Sequence, residues 1–324
     1  MTRAPAPCDP RDTGREIALR RLLGDVELCA SVDLVGGGLR ALTLGGADLV
    51  ESYPPGEDAP FCSGALLFPW PNRVRDGQWT QRGIDYQLPV TEPELGHATH
   101  GLVLNAVVAV EHRTGSEVTV STSVARQPGY PFLVRLQATY RLTDDGLDVK
   151  LTVTNESHVA APFALGVHPY LRIGNVPVAD LTVRIAANTY FTIDDRLIPL
   201  DEQSVDATDK DLRDGRRVAL VNVNTCYHSV PTLDGRAGYE VAAPDGRAVE
   251  LWTDDGFPYV HVYTCAIFPR GGKPGLALAI EPATAPANAL NSGVGLRWLE
   301  PRGRWDASWG IRLAPHSAAW PRSV

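Results

Sequence analysis

Apolar residues alternate with polar or small ones along much of this 324-residue chain, and that period of two suits half-buried β-strands. The segments EVTVSTSV (117–124), LDVKLTVTN (147–155), DLTVRIAAN (180–188), YVHVYTCAIF (259–268) and LALAIEP (276–282) all carry it. Six Asp-Gly pairs, at 76–77, 145–146, 214–215, 234–235, 245–246 and 255–256, punctuate the pattern. Asp-Gly supplies the positive φ angles of tight hairpins, so these pairs predict antiparallel meanders. The 30 glycines and 26 prolines follow no period, which fits a turn-rich chain. Sustained helical periodicity, a Gly/Ser linker and internal repeats are all missing. The expectation is an all-β fold, with residues 16–324 forming one domain behind a disordered leader over 1–15.

Thirty Lys and Arg against 38 Asp and Glu leave a formal charge of −8, which provides no electrostatic footprint for nucleic acid or an anionic membrane. No apolar run reaches the roughly 18 residues of a membrane helix. The N-terminal MTRAPAPCDPRDTG lacks the apolar core of a signal peptide, so a cytoplasmic location is expected. Five scattered cysteines (Cys8, Cys29, Cys62, Cys226, Cys265) without a CxxC pair suggest neither a disulfide framework nor a structural zinc site.

Strand parity picks out two ionisable residues. In FALGVHP, Phe163, Leu165 and Val167 share one face, while Ala164, Gly166 and His168 share the other. In LALAIEP, Leu276, Leu278 and Ile280 oppose Ala277, Ala279 and Glu281. Each strand therefore has a bulky face suited to a core and a face of tiny residues ending in an ionisable group before proline. Small side chains beside a polar terminus leave room for a ligand; the alternative is a solvated strand end covered by a loop.

Further candidates lie in loops. LLFPWPNRVRDGQW (66–79) contains Asn72-Arg73, where the guanidinium can fork onto ligand hydroxyls or brace the loop. HATHG (97–101) has HxxH spacing, but with no helix and no third acidic ligand nearby it is read as a loop, not a metal site. His261 shares a strand face with Tyr259 and Tyr263, and packing against a neighbouring sheet is the expected use of that face. There is no GxSxG, P-loop or dinucleotide fingerprint.

At these residues the chain resembles the aldose 1-epimerase (galactose mutarotase) family. The matching pieces are Asn72-Arg73, His100-Gly101, GVHPYL (166–171), FTIDDRLIP (191–199), IEPATAPANALNSG (280–293) and the closing ASWGIRL. The resemblance implies a large antiparallel twisted β-sandwich, a supersandwich, with a sugar site in an open cleft. It also implies Glu281 as the general base at the anomeric hydroxyl and His168 as the general acid at the ring oxygen. His100, Arg73 and Asn72 would hold the sugar, with no cofactor and no metal. Opening a cyclic hemiacetal removes a proton at O1 and adds one at O5, so a base and an acid must flank C1. The expected partner is a small-molecule sugar, and the oligomeric state stays open.

Two departures from the family bear on substrate. Asn224, in VNVNTCYHSV, stands where many relatives have an aspartate facing sugar hydroxyls. Leu104, Asn105 and Ala106 follow His100-Gly101 where an Arg and a Trp are common. Asp234, Asp245 or His228 are the nearest residues in sequence that could replace the lost acceptor. The expected function is interconversion of α and β anomers of a free aldose. Alternatives are a mutarotase-like enzyme redirected to a modified sugar or another acid/base isomerisation, and a carbohydrate-binding protein without turnover.

Overall fold

The computed structural model describes residues 14–315. Of the leader expected over 1–15, residues 1–13 lie outside the described residues. Arg15 is held, donating to Asp33 and to the Gly56 carbonyl at 3.4 and 2.9 Å.

Two large sheets carry the architecture. A nine-stranded sheet runs, in spatial order, through 109–113, 117–124, 134–142, 146–155, 304–315, 247–254, 236–242, 182–185 and 216–217. An eight-stranded sheet runs through 199–204, 189–193, 224–228, 259–270, 273–283, 166–167 and 66–67, with 170–171 added beside 273–283. A separate four-stranded meander spans 16–48. The strand pairings are antiparallel, including the long partners 134–142 with 146–155 and 259–270 with 273–283. Helix is confined, among the described residues, to Ala289–Ser292 and four 3-10 turns. No helix among them is long and apolar enough to cross a membrane.

Alternation decides which side of each strand is core. Val118, Val120, Leu136, Ala138, Val149 and Leu151 of the nine-stranded sheet join Val260, Val262, Leu278 and Ile280 of the eight-stranded one in a single buried cluster. Phe163, Leu165 and Val167 belong to the same cluster, yet FALGVHP is not the single strand expected. Residues 161–163 pair with 297–299 in a separate sheet, and only 166–167 joins the eight-stranded one, because the chain leaves one sheet for the other at 164–165. Burying a side chain of this size stabilises by about 1.5–3 kcal/mol, which gives each two-residue period a strong preferred register.

Two further sequence expectations need correction. The strand read over 180–188 shrinks to Thr182–Ile185, because Val178–Asp180 forms a 3-10 turn after Pro177. The Asp-Gly pairs are not all hairpin turns. Those at 145–146 and 245–246 join neighbouring strands, whereas 255–256 carries the chain from one large sheet to the other. At 76–77 both residues are left-handed (φ 55° and 62°), but the turn leads from the short strand at 73–74 into the hairpin at 78–87. Asp-Gly encodes a tight reversal, and the partner of the next strand is chosen by tertiary packing.

Candidate functional site

The face of the eight-stranded sheet turned away from the core forms a floor whose rows follow from register. Asn224 pairs with Tyr263, Tyr263 with Ala279, and Ala279 with Tyr170. One row over, Cys226 pairs with His261 and His261 with Glu281. The registers Gly166–Ala283 and Tyr170–Ala279 put His168 opposite Glu281 on its other side. Directly paired residues point to the same face. Glu281 is therefore flanked by His168 and His261, with the small side chains of Ala279 and Ala283 leaving space around it.

Above this floor lies a cleft of about 570 Å³, lined by Asn72, Arg73, His100, His168, Asn224 and Glu281 among others. All six residues singled out from the sequence thus meet in one cavity. Leu104 and Asn105 also line it, while Ala106 does not. A base and an acid flanking C1 would stand about one sugar ring apart, but the structure holds Glu281 and His168 in direct contact. His168 Nε2 lies 3.4 Å from Glu281 Oε1, because the residues sit across adjacent strands only about 4.8 Å apart.

Burial sets the charge of this pair. Glu281 is only 4% exposed and its carboxyl is pushed up to about 8 by desolvation, with Arg73 pulling the other way. His168 is 5% exposed and desolvation lowers it to about 4. Desolvation thus favours the protonated carboxyl of Glu281 and the neutral imidazole of His168 over an ion pair.

The two other histidines are neutral as well. His100 is lowered well below its ordinary value by burial, then by His168 and Arg73. Its Nδ1 accepts from the Asn72 amide at 3.3 Å, so the proton sits on Nε2. Burial, then Arg73 and His168, lower His261 to about 3. Its Nε2 lies 2.6 Å from Asn224 Oδ1. A neutral imidazole donating there leaves Nδ1 as the ring's acceptor, and the oxygen of Asn224 is already engaged.

Arg73 is positioned by the strand pair Arg73–Val74 with Ala98–Thr99, which also carries His100 to the cleft. Its guanidinium forks onto Glu92, with Nε to Oε2 at 2.7 Å and an Nη to Oε1 at 2.8 Å, and a further N–H reaches Asn72 Oδ1 at 3.2 Å. His97 turns away from His100. Its Nδ1 accepts from the Asp76 amide at 3.2 Å and its Nε2 faces the Arg196 carbonyl at 3.0 Å.

Several lining residues carry little or no signal in the sequence. His261 and Tyr263 belong to the floor rather than to a sheet interface, while Tyr259, on the same strand face, packs with His228 and Phe191 beyond the cleft. The alternation in YVHVYT contained the needed parity, since His261 and Tyr263 oppose the core residues Val260 and Val262. None of Asp234, Asp245 and His228 lines the cleft; Asp245 holds Arg247 and His228 holds Glu202. The carboxylate that does reach it besides Glu281 is Glu92, which no local pattern marked.

Comparison with known proteins agrees with this architecture. The family model described as aldose 1-epimerase matches residues 22–312. The chain is 32% identical over 274 residues to the Escherichia coli K12 protein YihR, described as uncharacterized, covering 84% of this chain and 85% of that one. It is 27% identical over 217 residues to the galactose mutarotase of Rattus norvegicus, covering 62% of this chain and 61% of the relative. Against that relative the chain thus spans under two thirds of its length. Among solved structures, the GalM/aldose epimerase homologue from C. elegans superposes with a TM-score of 0.81 at 20% identity, covering 93% of this chain and 99% of that one. The galactose 1-epimerase from Lactobacillus acidophilus gives 0.75 at 18% identity, covering 95% and 97%. The match across nearly the whole described chain places this protein in the aldose 1-epimerase family.

Proposed function

We propose that the protein interconverts the α and β anomers of a free reducing sugar by acid/base ring opening and reclosure. The observation that carries this reading is the 3.4 Å contact between Glu281 and His168 on a desolvated cleft floor. Together the two groups hold one proton between about pH 4 and 8. Ring opening consumes none overall: Glu281 takes the proton from O1 while His168 delivers one to O5. Productive binding therefore selects the tautomer with an ionised Glu281 and a protonated His168, and opening returns the pair to its resting arrangement. The aldehyde then rotates about C1–C2 and recloses with the roles reversed. The Nε2–H of His100 and the charge of Arg73 are suited to steadying the developing oxygen charge. Polarimetry and exchange NMR on a panel of aldoses test the proposal; accelerated anomerisation is expected, and binding without acceleration would reduce the protein to a carbohydrate-binding role.

A second reading, a modified sugar as substrate, is favoured by the Asn224–His261 contact. An acceptor toward sugar hydroxyls is worth about 1.5–3 kcal/mol when charged and about 0.5–1.5 when neutral, and Asn224 has already committed its oxygen to His261. Ordinary hexoses are therefore expected to bind about tenfold or more weakly than a deoxy, amino or otherwise altered sugar. Comparing kcat/KM for galactose between the natural protein and Asn224→Asp decides this. A large gain in the variant supports a redirected site, whereas efficient galactose turnover unchanged by the substitution leaves an ordinary aldose epimerase.

A further inference from the structure

One lining residue of the cleft is out of place for a protein core. Phe61 is 41% exposed, whereas the other phenylalanines are buried or half-buried. Its backbone is left-handed (φ 48°, ψ 38°), and Cys62 beside it is left-handed too (φ 57°). Two consecutive non-glycine residues in this region are uncommon, and such outliers persist where surrounding structure enforces them.

The enforcement is visible. Pro60 opens the turn, the Ser63 amide donates to the Pro60 carbonyl at 2.9 Å, and the Ala65 amide donates to the Cys62 carbonyl at 3.0 Å. The Tyr170 hydroxyl donates to the Phe61 carbonyl at 3.3 Å. On its inner edge the Phe61 ring meets Phe268 at 6.1 Å; Phe268 meets Tyr170 at 4.8 Å; and Tyr170 stacks on His168 at 5.2 Å. A chain of rings thus sets the position of Phe61 relative to His168. Phe61 lines the same cleft as Glu281, and Leu102 and Leu104 add apolar surface to that lining.

We infer that Phe61 is a substrate-contacting, specificity-determining residue whose ring is the platform for the C–H face of a pyranose held over Glu281 and His168. Sugars bury their C–H faces on aromatic rings while their hydroxyls bond elsewhere, and an apolar platform beside a polar floor matches that division. The inference rests on the reading of this cleft as a sugar site. The favoured ligands are reducing sugars with an unbroken C–H face, or with a deoxy position, on the side turned to Phe61.

Phe61→Gly separates contact from scaffolding, because glycine adopts φ 48° at no steric cost while removing the ring. For the sugar turned over best, the expected result is a melting temperature within a few degrees of the natural protein's, because relief of the left-handed backbone offsets the lost contact with Phe268, with kcat within about twofold and KM raised about three- to tenfold. Phe61→Tyr should restore KM. Unchanged KM in the stable glycine variant overturns the inference. So does a lowered melting temperature with kcat and KM damaged together, which would make the ring a packing element. Should the natural protein accelerate no anomerisation, the proposed reaction fails by itself. Equilibrium titration of the same sugars then judges Phe61 separately: weakening of Kd by the same factor in Phe61→Gly sustains the inference, and an unchanged Kd overturns it.

Discussion

Glu281 and His168 are shifted in opposite directions by one cause, removal from water, and that has consequences for pH. The pair carries a single proton from about pH 4 to about pH 8, so kcat/KM is expected to be bell-shaped within those limits, with apparent values belonging to the pair. A profile flat from pH 5 to 10 would contradict the one-proton shuttle. Glu281→Gln should lower turnover about 10²–10⁴-fold while leaving much of the sugar affinity in place. The same residue shapes stability. Because the folded value near 8 lies above the ordinary 4.5, the folded protein keeps a proton that the unfolded chain has released, and stability is lost as pH rises from 4.5 to 8. Glu281→Gln escapes that loss. Its stability relative to the natural protein should therefore grow between pH 5 and 9 by an amount on the order of 2–4 kcal/mol, measurable by paired denaturant melts.

At the scale of elements, the cleft depends on close backbone approach. Gly101 follows His100 with φ 80°, and a Cβ there would lie 2.1 Å from the Phe68 carbonyl oxygen. Gly101→Ala is expected to cost about 2 kcal/mol or more and to displace His100, so a thermal melt and KM should worsen together. The loop carrying Glu92 acts through Arg73, whose guanidinium it holds from two sides of the fork. Glu92 is thus a positioning residue. Glu92→Gln removes the charge and one acceptor, so KM should rise several-fold with a smaller change in kcat, and the basic limb of the pH profile should move to lower pH. That sign follows because Arg73, freed from its counter-charge, favours ionised Glu281 more strongly. A basic limb moved to higher pH, or left in place, would refute the coupling.

Across the whole molecule, the eight-stranded sheet serves two environments at once. Val260, Val262, Leu278 and Ile280 close the core, while His261, Tyr263 and Glu281 between them form the cleft floor. The proposed proton relay needs only these side chains, and both nitrogens of His97 are engaged by the Asp76 amide and the Arg196 carbonyl. Activity is therefore expected to survive exhaustive chelation. Loss in EDTA followed by recovery with zinc would mean that HATHG rearranges into a ligand set.

Local features were legible in the residues alone. Alternation has a period of two, so it assigned Glu281 to the face opposite Leu278 and Ile280 and His168 to the face opposite Val167; the aliphatic residues join the core cluster while Glu281 and His168 line the cleft. The motif resemblance also pointed to six of the residues that line the cleft. Tertiary structure alone decided the distances between them, because register pairs residues far apart in the chain: Gly166 with Ala283, and Asn224 with Tyr263. That pairing brought His168 to 3.4 Å from Glu281 and turned His261 from a packing residue into the neighbour of the candidate base. Glu92 and Phe61 left no sequence signal, since one belongs to an irregular loop and the other to a left-handed turn. Their roles come from where long-range packing holds those loops, and a two-residue period carries no information about that.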